Sequence, residues 1–302
     1  MLLSKKLKRG TIYYLAKLVI AILNFVSRRF AQAIGAWIGL LAWRLSNRDR
    51  HRINRHLFIV YGDKLTASDR IRIGRDFFIN SGKNLADVVR FRKHPPDKLK
   101  HLVTIEGLDH YHAALRKGKG IVGITGHIGN FEFLAAYMSS QGYKIAAIAR
   151  EMYDRRFDKL LVANREMVGL TNFSTTESPR KLLRWLADNG TLGVLIDTDS
   201  HRVRGDFITW FGRPAYTPIG QTLIGLKAGA AFVPMVCVRT DEDRYHIIIR
   251  PEINILPTGN TDKDTRNVTQ TCVWELEKII DQYRSQWIWM HNRWHTRPEK
   301  TS

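Results

Sequence analysis

A chain of 302 residues, 44% of them hydrophobic, is long enough for one large domain or two small ones and apolar enough to bury a substantial core. Its 48 Lys and Arg against 28 Asp and Glu leave a formal charge of +20, which points to a polyanionic partner, either nucleic acid or an anionic membrane. The only cysteines, Cys237 and Cys272, match no metal-ligand spacing and read as reduced thiols.

The amino-terminal region concentrates both properties. The first 55 residues hold twelve Lys and Arg against one acid, Asp49, and carry the apolar runs TIYYLAKLVIAILNFVS and FAQAIGAWIGLLAW. A spanning helix needs about 20 apolar residues. The first run falls short and contains Lys17, and the second is shorter still. Basic residues flank both runs on every side, so the asymmetry that would orient a span is missing. A helix or hairpin lying in the cytoplasmic leaflet fits better, with each cation near an anionic surface worth about 1 kcal/mol. A single tilted span and a pair of buried helices are the alternatives. Ala31-Gln32-Ala33 mimics a signal-peptidase site, but Arg28-Arg29 stand where a signal sequence has no charge, so no cleaved signal is expected.

Residues 46–93 are arginine-rich and helix-patterned, with apolar anchors at Leu57, Ile59, Val60, Phe77, Phe78, Leu85, Val88 and Val89. His94-Pro95-Pro96 stops that pattern. Beyond it, β-branched runs at 121–125, 144–149, 193–196, 232–238 and 245–250 alternate with amphipathic stretches at 155–168 and 178–189. Such alternation predicts an α/β fold, a central mostly parallel or mixed sheet flanked by helices. The expected organisation is an anchoring helical segment over 1–45 and one catalytic domain over 46–302.

Ligands of open α/β sheets collect at the carboxyl ends of strands. The residues leaving the predicted strands there are His127, Arg150, Asp197 and Asp199. In GHIGNFE, five residues separate His127 from Glu132, about 140° on a helix, so both cannot share a helical face. They touch only if His127 lies in a loop, Gly129 and Asn130 form the turn and cap, and Glu132 reaches back from the first helical turn. A carboxylate on one imidazole nitrogen makes the other a general base for a hydroxyl. On spacing alone, His127 capping the helix with Glu132 complementing its dipole is an equal reading. Arg150 could equally be a salt-bridge partner and Asp197 a turn cap. No H-E-x-x-H pattern is present, and the pairs Asp197-x-Asp199 and His110-x-His112 are weak metal signals, so no metal is expected.

GHIGNFE resembles the H-x4-D/E motif of the glycerolipid and lipid A acyltransferases. Its surroundings resemble the lipid A late acyltransferases, bacterial enzymes that acylate Kdo-lipid A from acyl-acyl carrier protein. The likeness extends through RHRINRHLFIVYG, the arginine of IAR, LIDTDS, WFGRPAYTPIG and the closing QWIWMHNRWHTRP. It implies that His127 deprotonates an acceptor hydroxyl, that Glu132 orients it, and that Arg150 binds phosphate or the developing oxyanion. Asp197, Asp199, Gly129 and Asn130 are expected beside the substrate. The resemblance further implies no cofactor, acyl-acyl carrier protein or acyl-coenzyme A as donor, a lipid A precursor as acceptor, and a place on the cytoplasmic side of the bacterial inner membrane. Another glycolipid, an ornithine lipid or a lysophospholipid is the alternative acceptor. The tail Trp287, Trp289, Trp294 with Arg293 and Arg297 suits a membrane interface or lipid phosphates, with packing onto the core as the alternative. A basic nucleic-acid-binding protein would explain the charge but neither the H-x4-E junction nor the apolar first 45 residues, so no nucleic-acid partner is expected.

Overall fold

The computed structural model describes residues 2–149, 154–200 and 203–298. Four helices come first: α1 (Leu2–Phe25), α2 (Arg28–Leu45), α3 (Asn47–Tyr61) and α4 (Ala67–Val88). An alternating region follows, with β1 (Val103–Glu106), α5 (Leu108–Arg116), β2 (Ile121–Thr125), α6 (Phe131–Ser140), β3 (Ile145–Ala149), α7 (Arg155–Glu166) and β4 (Thr171–Ser174). Then come α8 (Pro179–Ala187), β5 (Thr191–Leu195), the hairpin β6 (Gly205–Trp210) and β7 (Arg213–Pro218), α9 (Gly220–Ala228), β8 (Ala231–Arg239), β9 (Tyr245–Ile249) and α10 (Thr261–Gln282).

Seven strands form one sheet in the order β1-β9-β8-β2-β5-β3-β4. Strands β8, β2, β5, β3 and β4 run parallel, while β9 is antiparallel to β8 and β1 parallel to β9. The expected α/β architecture is therefore present, in its mixed form. Helices cover both faces, which is why IVGIT in β2 and AFVPMVCVR in β8 are buried at every residue and apolar up to the last, Thr125 and Arg239. One core cluster joins Val122, Ile124, Leu192 and Val194 to α8 and α10; the other joins Ile121, Ile145, Val233 and Met235 to α5 and α6.

The helical part is fixed by small residues and a cap. Thr66 and Asp69 form a reciprocal capping box at the start of α4. Helix α2 then lies against α4 almost backbone to backbone. A Cβ on Gly35 would stand 2.4 Å from the Gly82 carbonyl oxygen, and one on Gly39 would stand 2.1 Å from that of Phe78. The opposite face of α1 and α2 is open to solvent and apolar, with Tyr14, Leu18, Phe25, Phe30, Trp37 and Leu45 exposed. Neither extreme reading of this region holds, since α2 buries one face and presents the other. Among the described residues no helix is long and apolar enough to cross a membrane.

The carboxyl-terminal tail corrects the interfacial expectation. Trp287 and Trp289 are buried, Trp287 stacks on Trp210, and Arg293 is buried against the Tyr216 carbonyl and the Thr217 hydroxyl. Helix α3 holds the tail from the other side: the buried His56 ring bonds the Trp289 carbonyl at 2.7 Å, and Arg52 donates to the Met290 carbonyl at 3.0 Å.

Replacing Gly82 by Val should lower the melting temperature, at a cost of roughly 1–3 kcal/mol, because its Cβ would stand 2.0 Å from the Gly35 carbonyl oxygen. Gly10→Ala, which meets nothing within 4 Å, should leave the melt unharmed. Circular-dichroism melts of the two variants check this.

Candidate active site

Strands β2 and β5 are neighbours, and their register pairs Thr125 with Leu195. Two residues beyond each partner stand His127 and Asp197, so ladder pairing brings them side by side at the carboxyl edge of the sheet. The Asp197 carboxylate is wholly buried and bonded three times. It accepts from the His127 backbone N–H at 2.6 Å, from His127 Nδ1 at 2.8 Å and from Trp287 Nε1 at 2.8 Å. A Cβ on Gly126 would stand 2.9 Å from its Oδ2, so that approach requires glycine.

A carboxylate only accepts, so Nδ1 of His127 carries the proton and Nε2 is left as the basic nitrogen. Burial works against a charged ring, but the charge and hydrogen bond of Asp197, with the charge of Glu132 behind them, outweigh it and raise the His127 pKa. Burial also opposes the Asp197 carboxylate, yet the same contacts and the Trp287 N–H hold it at about 2. A second imidazole, His291, lies edge-on to His127 with centroids 4.9 Å apart; burial, then the charge on His127, lower its pKa to about 4, so it is neutral.

Residues 127–130 are tied down on every side. The Ile288 N–H donates to the His127 carbonyl, Gly129 N–H to the Gln286 carbonyl, Asn130 N–H to the Cys237 carbonyl, and Asn84 Nδ2 to the Gly129 carbonyl. Gly129 has φ of +58°, and a Cβ there would stand 2.0 Å from the Cys237 oxygen. Asn130 caps α6 through Phe133 N–H and donates to the Tyr245 hydroxyl. The loop, turn and cap expected from the sequence are therefore present, with Gly129 and Asn130 holding the loop.

The expected Glu132–His127 hydrogen bond is absent. Glu132 is held instead by the Arg165 guanidinium of α7, whose Nε donates to Oε2 at 2.9 Å and whose Nη2 donates to Oε1. Nδ1 of His127 is already taken by Asp197, and the arginine satisfies Glu132 in two-pronged geometry. Both Glu132 and Arg165 nevertheless line the same cavity as His127. Asp199 accepts from the Thr296 N–H and hydroxyl and so pins the tail. Arg150 lies outside the described residues. Of the weak metal pairs, Asp197 meets His127, Asp199 meets Thr296 and His112 meets the Tyr143 hydroxyl. The sequence does not single out Arg165 or His291 as site residues, and it places Trp287 at an interface or in the core without the bond to Asp197. The clustering of His and Trp in QWIWMHNRW was the one available signal for Trp287 and His291, and Arg165 had none.

From His127 an apolar cavity of about 360 Å³ runs between the sheet and α6. Its floor is one face of three strands, read at every second residue: Gly123 and Thr125 of β2, Thr191, Gly193 and Leu195 of β5, and Ile145, Ala147 and Ala149 of β3. Its roof is Leu134, Ala135 and Met138 of α6, with Leu161 of α7 at the side.

A family model described as bacterial lipid A biosynthesis acyltransferase matches residues 3–296. The chain belongs to that family. A phosphatidylinositol mannoside acyltransferase of Mycolicibacterium smegmatis is 22% identical over 201 residues, 65% of this chain and 64% of that protein. A lipid A biosynthesis palmitoleoyltransferase of Escherichia coli is 22% identical over 218 residues, 68% of this chain and 65% of that protein. The matches thus span slightly less than two thirds of these relatives. Among solved structures, a 1-acyl-sn-glycerophosphate acyltransferase from Thermotoga maritima covers 84% of this chain and 98% of its own at 12% identity, with a TM-score of 0.38, a likeness too loose to bear on chemistry.

In Asp197→Asn the raising charge is gone while the ring stays buried, so His127 should titrate at a lower pH than in the wild type. Imidazole NMR titration checks this; an unmoved titration would remove Asp197 as the partner that sets the basicity of His127.

Proposed function

We propose that the protein is a membrane-associated O-acyltransferase that moves a fatty acyl chain from an acyl thioester to a hydroxyl of a lipid A precursor or a related glycolipid. The observation that carries this reading is an oriented imidazole at the mouth of an apolar cavity. Nε2 of His127 takes the proton of the acceptor hydroxyl as its oxygen attacks the thioester carbonyl, and Asp197 steadies the imidazolium that forms. The tetrahedral intermediate collapses with cleavage of the C–S bond, and the sulfur takes the proton back from His127. An ester and a free thiol result. The thioester is itself the activated group, so no cofactor enters. The cavity, in the size range of small-molecule sites, seats the acyl chain. Glu132 and Arg165 form the polar rim of that seat, and Arg150 is assigned to the phosphate or oxyanion.

The names of the relatives speak of lipid A biosynthesis and of phosphatidylinositol mannoside, which support two acceptor classes, a lipid A precursor and a mannosylated phosphatidylinositol. The family match favours the first. An acidic carrier protein suits the +20 chain as donor, with acyl-coenzyme A as the other anionic candidate. The exposed apolar face of α1 and α2, with the exposed Arg29 and Arg44 beside it, supports attachment in the plane of an anionic leaflet at the cytoplasmic side of the inner membrane.

Mass spectrometry of products from acyl-acyl carrier protein with a panel of lipid A precursors and glycosylated phospholipids tests the reading. His127→Ala should cut turnover about 10²–10⁴-fold with the fold intact; an active, folded variant would overturn the mechanism. Gly193→Val should shift transfer toward shorter chains, because a Cβ there meets only the Ala146 oxygen at 3.5 Å and the added methyls would occupy the cavity. An unchanged chain profile would move the acyl seat elsewhere.

A further inference from the structure

A second cavity, of about 570 Å³, lies away from His127 at the turn between α1 and α2. Ser27 and Arg28 line it from the turn, Asp87 and Arg90 from the end of α4, and Lys93 and His94 from the segment beyond. Arg90 is 4% exposed, and only its Nη1 is bonded, to the Leu23 and Val26 carbonyls at the end of α1. Among the described residues its Nε and Nη2 have no protein acceptor, no carboxylate pairs with it, and these nitrogens are not sealed from the cavity. A buried guanidinium with a free edge is costly unless an anion meets it.

The one anion close by, whose charge Arg90 feels, is already engaged. Asp87, the one carboxylate in the wall, already accepts from Arg28, Gln32, Arg239 and the Tyr245 hydroxyl. Lys93 is exposed, with no acidic partner among the described residues, while burial and then the neighbouring cations lower the His94 pKa, leaving a neutral ring. The 18-residue helix α2 also starts here without a side-chain cap, and its first turn holds two arginines and no acid. Its leading N–H groups and the positive end of its dipole therefore add to the same field.

We propose that this cavity binds the phosphate of an anionic lipid headgroup. A tetrahedral oxyanion can accept from the Arg90 edge, the Lys93 ammonium and the helix N–H groups together. The lipid source follows from position: Phe25, 88% exposed, stands at the rim, and Phe30, 68% exposed, follows in the first turn of α2. A headgroup seated in the cavity leaves its acyl chains beside those rings. The inference rests on the reading of α1 and α2 as a membrane face.

The test uses the full chain purified in detergent, phosphatidylcholine vesicles containing phosphatidylglycerol, and two soluble probes, glycerol 1-phosphate and inorganic phosphate. Lys93→Glu, at an exposed position, should weaken vesicle binding about tenfold, the value of one charge-assisted hydrogen bond. Arg90→Lys keeps the charge but loses the fork and should weaken it as well. Arg44→Glu makes the same charge change at the far end of α2, on the same face, and serves as the control. In 0.5 M salt the Lys93→Glu defect should persist and the Arg44→Glu defect should fade, since screening removes diffuse attraction first. Equal defects that fade together would overturn the site. Glycerol 1-phosphate should shift its ³¹P resonance on wild type and not on Lys93→Glu. Inorganic phosphate binding as tightly as the ester would overturn the lipid assignment. Retained ester binding without any vesicle binding would sink the membrane reading and keep the phosphate site.

Discussion

A carboxylate with no solvent exposure is tolerated only where enough donors surround it, and Asp197 organises the molecule around that requirement. Its three donors come from distant stretches of chain: the His127 side chain and backbone after β2, and the Trp287 indole from the tail. To bring the backbone N–H within reach, the residue before His127 has no side chain. To bring Trp287, the tail packs across the rim, clamped by His56 and Arg52 of α3 and by Asp199 through Thr296. Loss of any one donor leaves a buried charge undersatisfied, so the geometry of the base and the seating of the tail stand or fall together.

A second buried carboxylate, Asp87, does the same for the helical part. It gathers Arg28 and Gln32 of α2 and Arg239 and Tyr245 of the β8–β9 hairpin around the end of α4. Two of these groups are one step from the His127 loop. Arg239 donates to Asn84, whose amide holds the Gly129 carbonyl, and the Tyr245 hydroxyl accepts from Asn130. Buried hydrogen bonds therefore cross residue 45, where composition changes, and connect the helix carrying the exposed apolar face to the loop carrying the base.

The central strands were legible because they are largely buried on both faces and read as β-branched, mostly apolar runs: residues 121–125 coincide with β2, and 245–250 and 232–238 fall within one residue of β9 and β8 at each end. The strands β1 and β4 were missed because they are four-residue edges of the sheet, half-buried and without such a run. The β6–β7 hairpin was also missed, although Phe211-Gly212, both at positive φ, is the two-residue turn that twist favours. In the site, the motif located His127 and its loop, but sequence proximity favoured Glu132 over Asp197. Which carboxylate meets the ring is decided by β2–β5 adjacency, and adjacency depends on strand order, which one chain's pattern does not carry. The tail tryptophans were ambiguous because an indole serves a membrane interface and a core equally, with the N–H needing a partner in either case. Here the partner is Asp197.

The two halves of the site are set by one piece of geometry. On one face, β2 and β5 present Val122, Ile124, Leu192 and Val194 to α8 and α10, large residues that fill the core. On the other they present Gly123 and Gly193, paired in register, and β3 adds Ala147 and Ala149. Small residues beneath Leu134 and Met138 of α6 leave room where a packed α/β interface would have none. The strands that form this floor also end at His127 and Asp197. The distance from the basic nitrogen to the apolar cavity is thus set by strand register together with the tied-down loop that follows β2.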